Sequence, residues 1–114
     1  MWVAIVAMVA GSLVVAEVGR RGAAGTLPRN HLAGIRVPAT MRDDTAWARG
    51  HRAGGPVLVA TGLAGALVGI AAWPVEVAAG PAAAAGVVLA AAVLLVVGVV
   101  VAARRAAAAA GGER

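Results

Sequence analysis

Apolar residues run almost unbroken through three stretches of the chain, and the polar ones gather between the first and the second. Trp2 to Val18 is apolar except for Ser12 and Glu17. At about 1.5 Å per helical residue it reaches roughly 25 Å, enough to cross most of a hydrocarbon layer about 30 Å thick. Val57 to Trp73 forms the second stretch, and Ala82 to Ala103 the third, without a charge over 22 residues. The pattern predicts an all-α integral membrane protein: three transmembrane helices, near 2–19, 56–74 and 82–103, with a cytoplasmic amphipathic segment between the first and second. A single membrane domain, 1–114, is expected, with residues 20–55 as its long loop. No positive side chain precedes the first stretch, whereas Arg20 and Arg21 follow it, which suits a retained anchor rather than a cleaved signal.

Local signals divide the loop. Gly22, Gly25 and Pro28 discourage helix at its start. Pro38 drives Val37 into extended backbone. Thr40 is then expected to cap a short helix, with Asp43 at its third position, Asp43 and Asp44 near its positive end and Arg49 and Arg52 near its negative end. On a helical wheel Arg42, Thr45, Arg49 and Arg52 share one face, and Asp43, Trp47 and His51 the other. Gly54-Gly55 should break this helix, and Pro56 should open the next. Pro74 to Pro81 reads as a turn, Arg104-Arg105 as the end of the third span, and Ala106 to Arg114 as a fraying tail.

Composition supports the membrane reading. Charged residues are 13% and hydrophobic ones 61%, with mean hydropathy +0.89, against about 25% charged in soluble domains. The net charge of +5 would suit nucleic acid, but the cations border the apolar stretches, so membrane lipids are the expected partner and nucleic acid is not. Seven arginines lie in the long loop, three after the third span and none in the outer turn. The positive-inside rule therefore places the loop and the C-terminus in the cytoplasm and the N-terminus outside. Cysteine is absent, which removes disulfides and thiolate metal sites.

Candidate chemistry is sparse. Asp43, Asp44 and His51 are the acid–base or metal candidates of the loop, and first-turn carboxylates are ordinary helix stabilisers. There is no HExxH, phosphate loop or serine-nucleophile motif, so no catalytic residue, metal or cofactor is expected. His31 reads as a solvated loop histidine, and Glu17 as a helix-end partner of Arg20 and Arg21. The second and third stretches carry no ionisable group apart from their ends, which argues against a self-contained transporter. Thr61, Gly65 and Gly69, and Ala82, Gly86 and Ala90, recur every four residues and predict packing of the second span on the third, with self-association of the chain left open.

One motif stands out: Asn30-x-x-x-Gly34-Ile35-Arg36-x-Pro38-x-Thr40, followed by Trp47-x-x-x-His51-Arg52. Asn30 and Gly34 suit a turn, Arg36 offers charge to a phosphate or carboxylate, Pro38 and Thr40 suit a helix start, and Trp47 and His51 share a helical face. This motif, behind one apolar helix and ahead of two, resembles that of SdpI-family bacterial membrane proteins. The name-giving member is longer, protects its producer cell from a secreted toxic peptide and takes part in signalling. Val37 stands where the family more often has Thr. The resemblance implies a non-enzymatic, multi-pass protein of the bacterial inner (plasma) membrane, serving immunity or signalling through a bound peptide toxin or protein. Asn30, Gly34, Arg36, Pro38, Thr40, Trp47, His51 and Arg52 would be its partner-binding residues. The alternatives are an accessory subunit of a transporter or other membrane complex and, third, a cytoplasmic-face enzyme. For the motif itself the alternative is that it only fastens an interfacial helix to the bundle.

Overall fold

In the computed structural model, which describes residues 1–111, four helices follow in order: α1 (Trp2–Ala24), α2 (Pro38–Met41), α3 (Asp44–Ala79) and α4 (Pro81–Gly111). The three long ones are each apolar and long enough to cross a membrane. No strand occurs among the described residues. α3 is the centre of the bundle: α1 packs along one side and α4 along another, and α1 and α4 barely meet. The chain reverses between each pair, so the loop, the start of α3 and the end of α4 lie at one end of a body 55 Å long.

The helices are longer than the sequence signals suggest. Gly54 and Gly55 do not break the chain, and Pro56 and Pro74 both lie inside the 36-residue α3. The expected amphipathic helix is therefore not separate; from Asp44 onward its residues are the first turns of α3. The reason is packing. A Cβ on Gly55 would lie 2.6 Å from the Gly19 carbonyl oxygen of α1, and one on Gly54 2.7 Å from that of Ala102 in α4. The two glycines act as close-contact residues, and neighbouring helices hold the segment helical despite poor intrinsic propensity. Helix α3 also begins later than Thr40. Its cap is Asp43, whose carboxylate accepts the Ala46 N–H at 2.7 Å. That bond holds the Asp43 carboxyl below its ordinary pKa.

The turn between the second and third spans shrinks to Gly80, whose φ of 90° suits glycine, and Pro81 opens α4. At the other end α1 runs through Gly22 to Ala24 and stops on Gly25, in left-handed backbone. Glu17 bonds both Arg20, at 2.6 and 2.8 Å, and Arg21, at 2.8 Å, forming the expected helix-end ion pairs. α4 passes Arg104-Arg105 and continues through the alanine run. Ala106 packs beside Gly50 and Gly54, and the Arg42 guanidinium donates to the Ala110 carbonyl at 2.9 Å. That contact sets a cation on the negative end of a helix. The expected fraying of Gly112 to Arg114 lies outside the described residues.

Small residues do line the α3–α4 seam, with one correction. Thr61 faces Gly98, where any side chain would strike its hydroxyl, and Gly65 lies against Leu95. The α4 residues buried there are Ala84, Ala91, Ala102 and Ala106, whereas Ala82 and Ala90 are exposed and nothing lies near a Cβ on Gly86. The buried set is spaced by 7, 11 and 4 residues, whole turns of helix that keep to one face. A count of fours selected the wrong face because alanine and glycine fill both.

Candidate functional site

The loop after α1 folds onto the first turns of α3 through polar side chains, most of them from the motif. Asn30 organises the loop's turn. Its carbonyl oxygen accepts the N–H groups of Leu32 (2.8 Å) and Ala33 (2.7 Å), and its amide donates to the carbonyls of Pro28 (2.8 Å) and Ala33 (3.0 Å). All of the amide's hydrogen-bonding capacity is used, which fixes the turn in a single shape.

Gly34 follows with φ 120°, and a Cβ there would lie 2.7 Å from Trp47 Cη2 and 2.8 Å from His51 Nε2. Only glycine fits the backbone angle and the gap together. The next residue, Ile35, is buried and enters a small core with Leu58, Ala102 and Ala106, so one side chain joins the loop to α3 and α4.

His51 is the hinge pin of this arrangement. Its Nε2 accepts the Ile35 N–H at 2.8 Å, and its Nδ1 lies 2.8 Å from the Trp47 carbonyl one turn earlier. A backbone N–H can only donate, so Nε2 must be unprotonated; Nδ1 carries the hydrogen and donates to Trp47. The imidazole is buried and neutral. Burial pushes its pKa below the ordinary value, opposed more weakly by the Trp47 carbonyl. His51 lies on the loop side of the span expected at 56–74, and its lowered pKa gives the sign of a pH effect. Its contribution to holding the loop is complete above the unfolded histidine pKa of about 6.5 and falls as the pH drops below that value. The protection of the Ile35 amide, its exchange rate relative to the intrinsic rate at the same pH, should therefore fall as the pH drops below about 6.5. In His51→Gln, whose amide does not titrate there, that extra pH dependence should vanish; its persistence would remove His51 as the cause.

Trp47 lies beside His51 with ring centroids 4.0 Å apart, and its indole N–H donates to the Leu27 carbonyl at 2.8 Å. It is 3% exposed, so it packs inside the fold rather than reaching for an interface. Thr40 is fully buried. Its hydroxyl accepts the Val37 N–H at 3.3 Å and can donate to the carbonyls of Ile35 (2.6 Å) or Val37 (3.0 Å). This use, rather than capping α3, is why the helix start moves to Asp43. Pro38 opens α2, with Val37 extended before it (φ −104°, ψ 160°), as the proline requires.

Five motif residues, Asn30, Gly34, Thr40, Trp47 and His51, thus meet one another or the loop backbone. Arg36 and Arg52 are exposed and make no hydrogen bond or ion pair among the described residues. The wheel face that joined Arg42 to Thr45, Arg49 and Arg52 is corrected: Arg42 precedes α3 and is turned to the end of α4. Asp44 pairs with Arg29 at 3.3 Å, and no group of three metal-binding side chains occurs among the described residues. Ile35, Arg42 and the Leu27 carbonyl are parts of the site beyond the expected residues. The first had a signal, as a large apolar residue within the motif itself; the others depend on contacts 20 and 68 residues apart.

The model of the SdpI/YfhL protein family matches residues 26–103, from the loop through α3 and most of α4. No curated protein and no solved structure matches the chain.

Proposed function

This chain belongs to the SdpI/YfhL protein family, and we propose that it is a non-enzymatic bacterial plasma-membrane protein whose loop face binds a peptide or protein partner, for immunity to a toxic peptide or for membrane signalling. The observation that carries the reading is the division of labour in the motif. Its inner side chains hold the loop in one shape, and that shape presents Arg36, Pro38 and Arg52 outward. A fixed surface binds with less ordering entropy than a floppy one. Asp43 and Asp44 are engaged in capping and in an ion pair, which supports the non-enzymatic reading. The arginine distribution supports an external N-terminus and a cytoplasmic loop and C-terminus.

The second reading is an accessory subunit of a membrane complex or a self-associating protein. The exposed apolar side of α4, with Leu89, Val93, Val96 and Val97, leaves room for another helix as well as for lipid.

The test is deletion and complementation under challenge with toxic peptides and envelope stress, scored beside membrane abundance. Arg36→Ala and Arg52→Ala should each lose most of the protection at normal abundance, whereas Arg105→Ala should keep it. Arg42 is unsuitable as a control because it caps α4. Equal, small effects of all three changes would reject recognition through this face. Labelling of Thr45→Cys by an external thiol reagent in intact cells would overturn the orientation.

A further inference from the structure

Because α1 and α4 barely meet, a groove of about 370 Å³ remains between them, floored by Leu58 of α3. Its walls are Val14, Val15 and Val18 of α1 and Val99 and Ala103 of α4. The loop from Leu32 to Val37 closes its end, bringing Arg36 to the rim. The groove is otherwise apolar, and Arg36 has no partner among the described residues. Leu32 beside it is 94% exposed, an arrangement that suits acyl chains better than water.

We propose that this groove is a binding site for one anionic phospholipid, with an acyl chain along Val14–Val18 and Val99–Ala103 and the phosphate on Arg36. The shape and the charge agree on that occupant. The walls span about one turn of α1 and α4, at the end of the bundle that carries the described arginines. A transmembrane peptide helix packs along many turns of its neighbours, whereas these walls offer about one turn. An acyl chain is thinner, and a single cation at the apolar–polar boundary matches the net single negative charge of a lipid such as phosphatidylglycerol, whereas phosphatidylcholine already carries a cation beside its phosphate. A guanidinium can hold two of its oxygens in a fork. A lipid seated against Leu32 and the valines would exclude water from that pair and strengthen it over one in open water.

This proposal does not rest on partner binding by the loop, and the two fail separately because Arg52 lies outside the groove. The purified full chain would be mixed with phosphatidylglycerol and phosphatidylcholine of the same acyl chains in mild detergent, and bound lipid counted by native mass spectrometry. Wild type should retain one phosphatidylglycerol, favoured at least fivefold over phosphatidylcholine. Arg36→Gln should lose at least fivefold of that retention with its thermal midpoint unchanged, and Ala103→Phe, which fills the groove, should lose it too. Arg52→Gln and Arg105→Gln should retain it, and millimolar inorganic phosphate should not displace it. Undiminished retention in Arg36→Gln, equal loss in Arg105→Gln, no preference between the two lipids, or displacement by phosphate alone would each overturn the site. Should Ala103→Phe fail to fold, Arg36→Gln still decides, because that side chain is exposed and unpartnered.

Discussion

Trp47→Ala is expected to release the loop from α3 while the three long helices stay formed. The indole is 3% exposed, contacts the His51 ring, fills the space above Gly34 and donates to Leu27. Truncating a buried aromatic of this kind costs about 3–5 kcal/mol where the site cannot collapse. Here the loss falls on the loop and not on the seams between the long helices, so it should appear as local opening rather than global unfolding. Amide exchange at Leu32, Ala33 and Ile35 should rise by at least two orders of magnitude, while the middle of α3 keeps its protection. Trp47→Phe divides the effect: it retains most of the packing and leaves the Leu27 carbonyl without its donor, a cost of about 1–3 kcal/mol if that carbonyl stays dry. Unchanged exchange in Trp47→Ala would mean that Ile35, Thr40 and His51 hold the loop without the indole.

This prediction bears on function because it separates two meanings of the motif. Trp47 shapes the surface from inside, and Arg36 is part of the surface itself. A variant of the first should lose order and activity together. A variant of the second should lose activity with exchange unchanged. Residues that only anchored the loop would give a motif whose exposed members could be replaced freely, so Arg36 is the position at which anchoring and recognition part.

The sequence made the three apolar helices legible because lipid-spanning segments need long uncharged runs, and Ala82–Ala103 could be little else. It also exposed the loop as the polar centre, and the four-residue spacing of Trp47 and His51 placed them on one helical face, where they do pack. The helix ends were hidden. Gly54, Gly55 and Pro56 carry the local signature of a break, and only α1 and α4, distant in sequence, show that the glycines are contact residues. The direction of the motif side chains was hidden for a similar reason. Asn30, Thr40 and His51 are polar, and polarity suggests outward display. Their partners are backbone groups of the loop and α3, which composition does not reveal. Arg42 at the end of α4 had no local signal at all.

Gly62→Ala is expected to be the most damaging single methyl in the chain. A Cβ there would overlap the Ser12 carbonyl oxygen and lie 2.5 Å from the Ala16 backbone nitrogen, both in α1. Neither is the tip of a flexible side chain that could swing aside; the whole of α1 must move. Overpacking typically costs 1–3 kcal/mol, and contact with backbone on a rigid helix argues for the upper part of that range or beyond. The contact lies amid the α1–α3 seam, which continues through Gly19 against Gly55 and Leu58 at one end and Gly69 against Val9 at the other. Separating the helices at Gly62 should loosen both. Gly86→Ala is the matched control, because nothing lies within 4 Å of its Cβ and alanine favours helix by up to about 1 kcal/mol over glycine. In mild detergent Gly62→Ala should show a markedly lower midpoint of heat-induced aggregation at unchanged helical content, and Gly86→Ala a midpoint at or above that of the parent. A Gly62→Ala midpoint equal to the parent would show that α1 is free to shift, and would put the α1–α3 seam in doubt along its whole length.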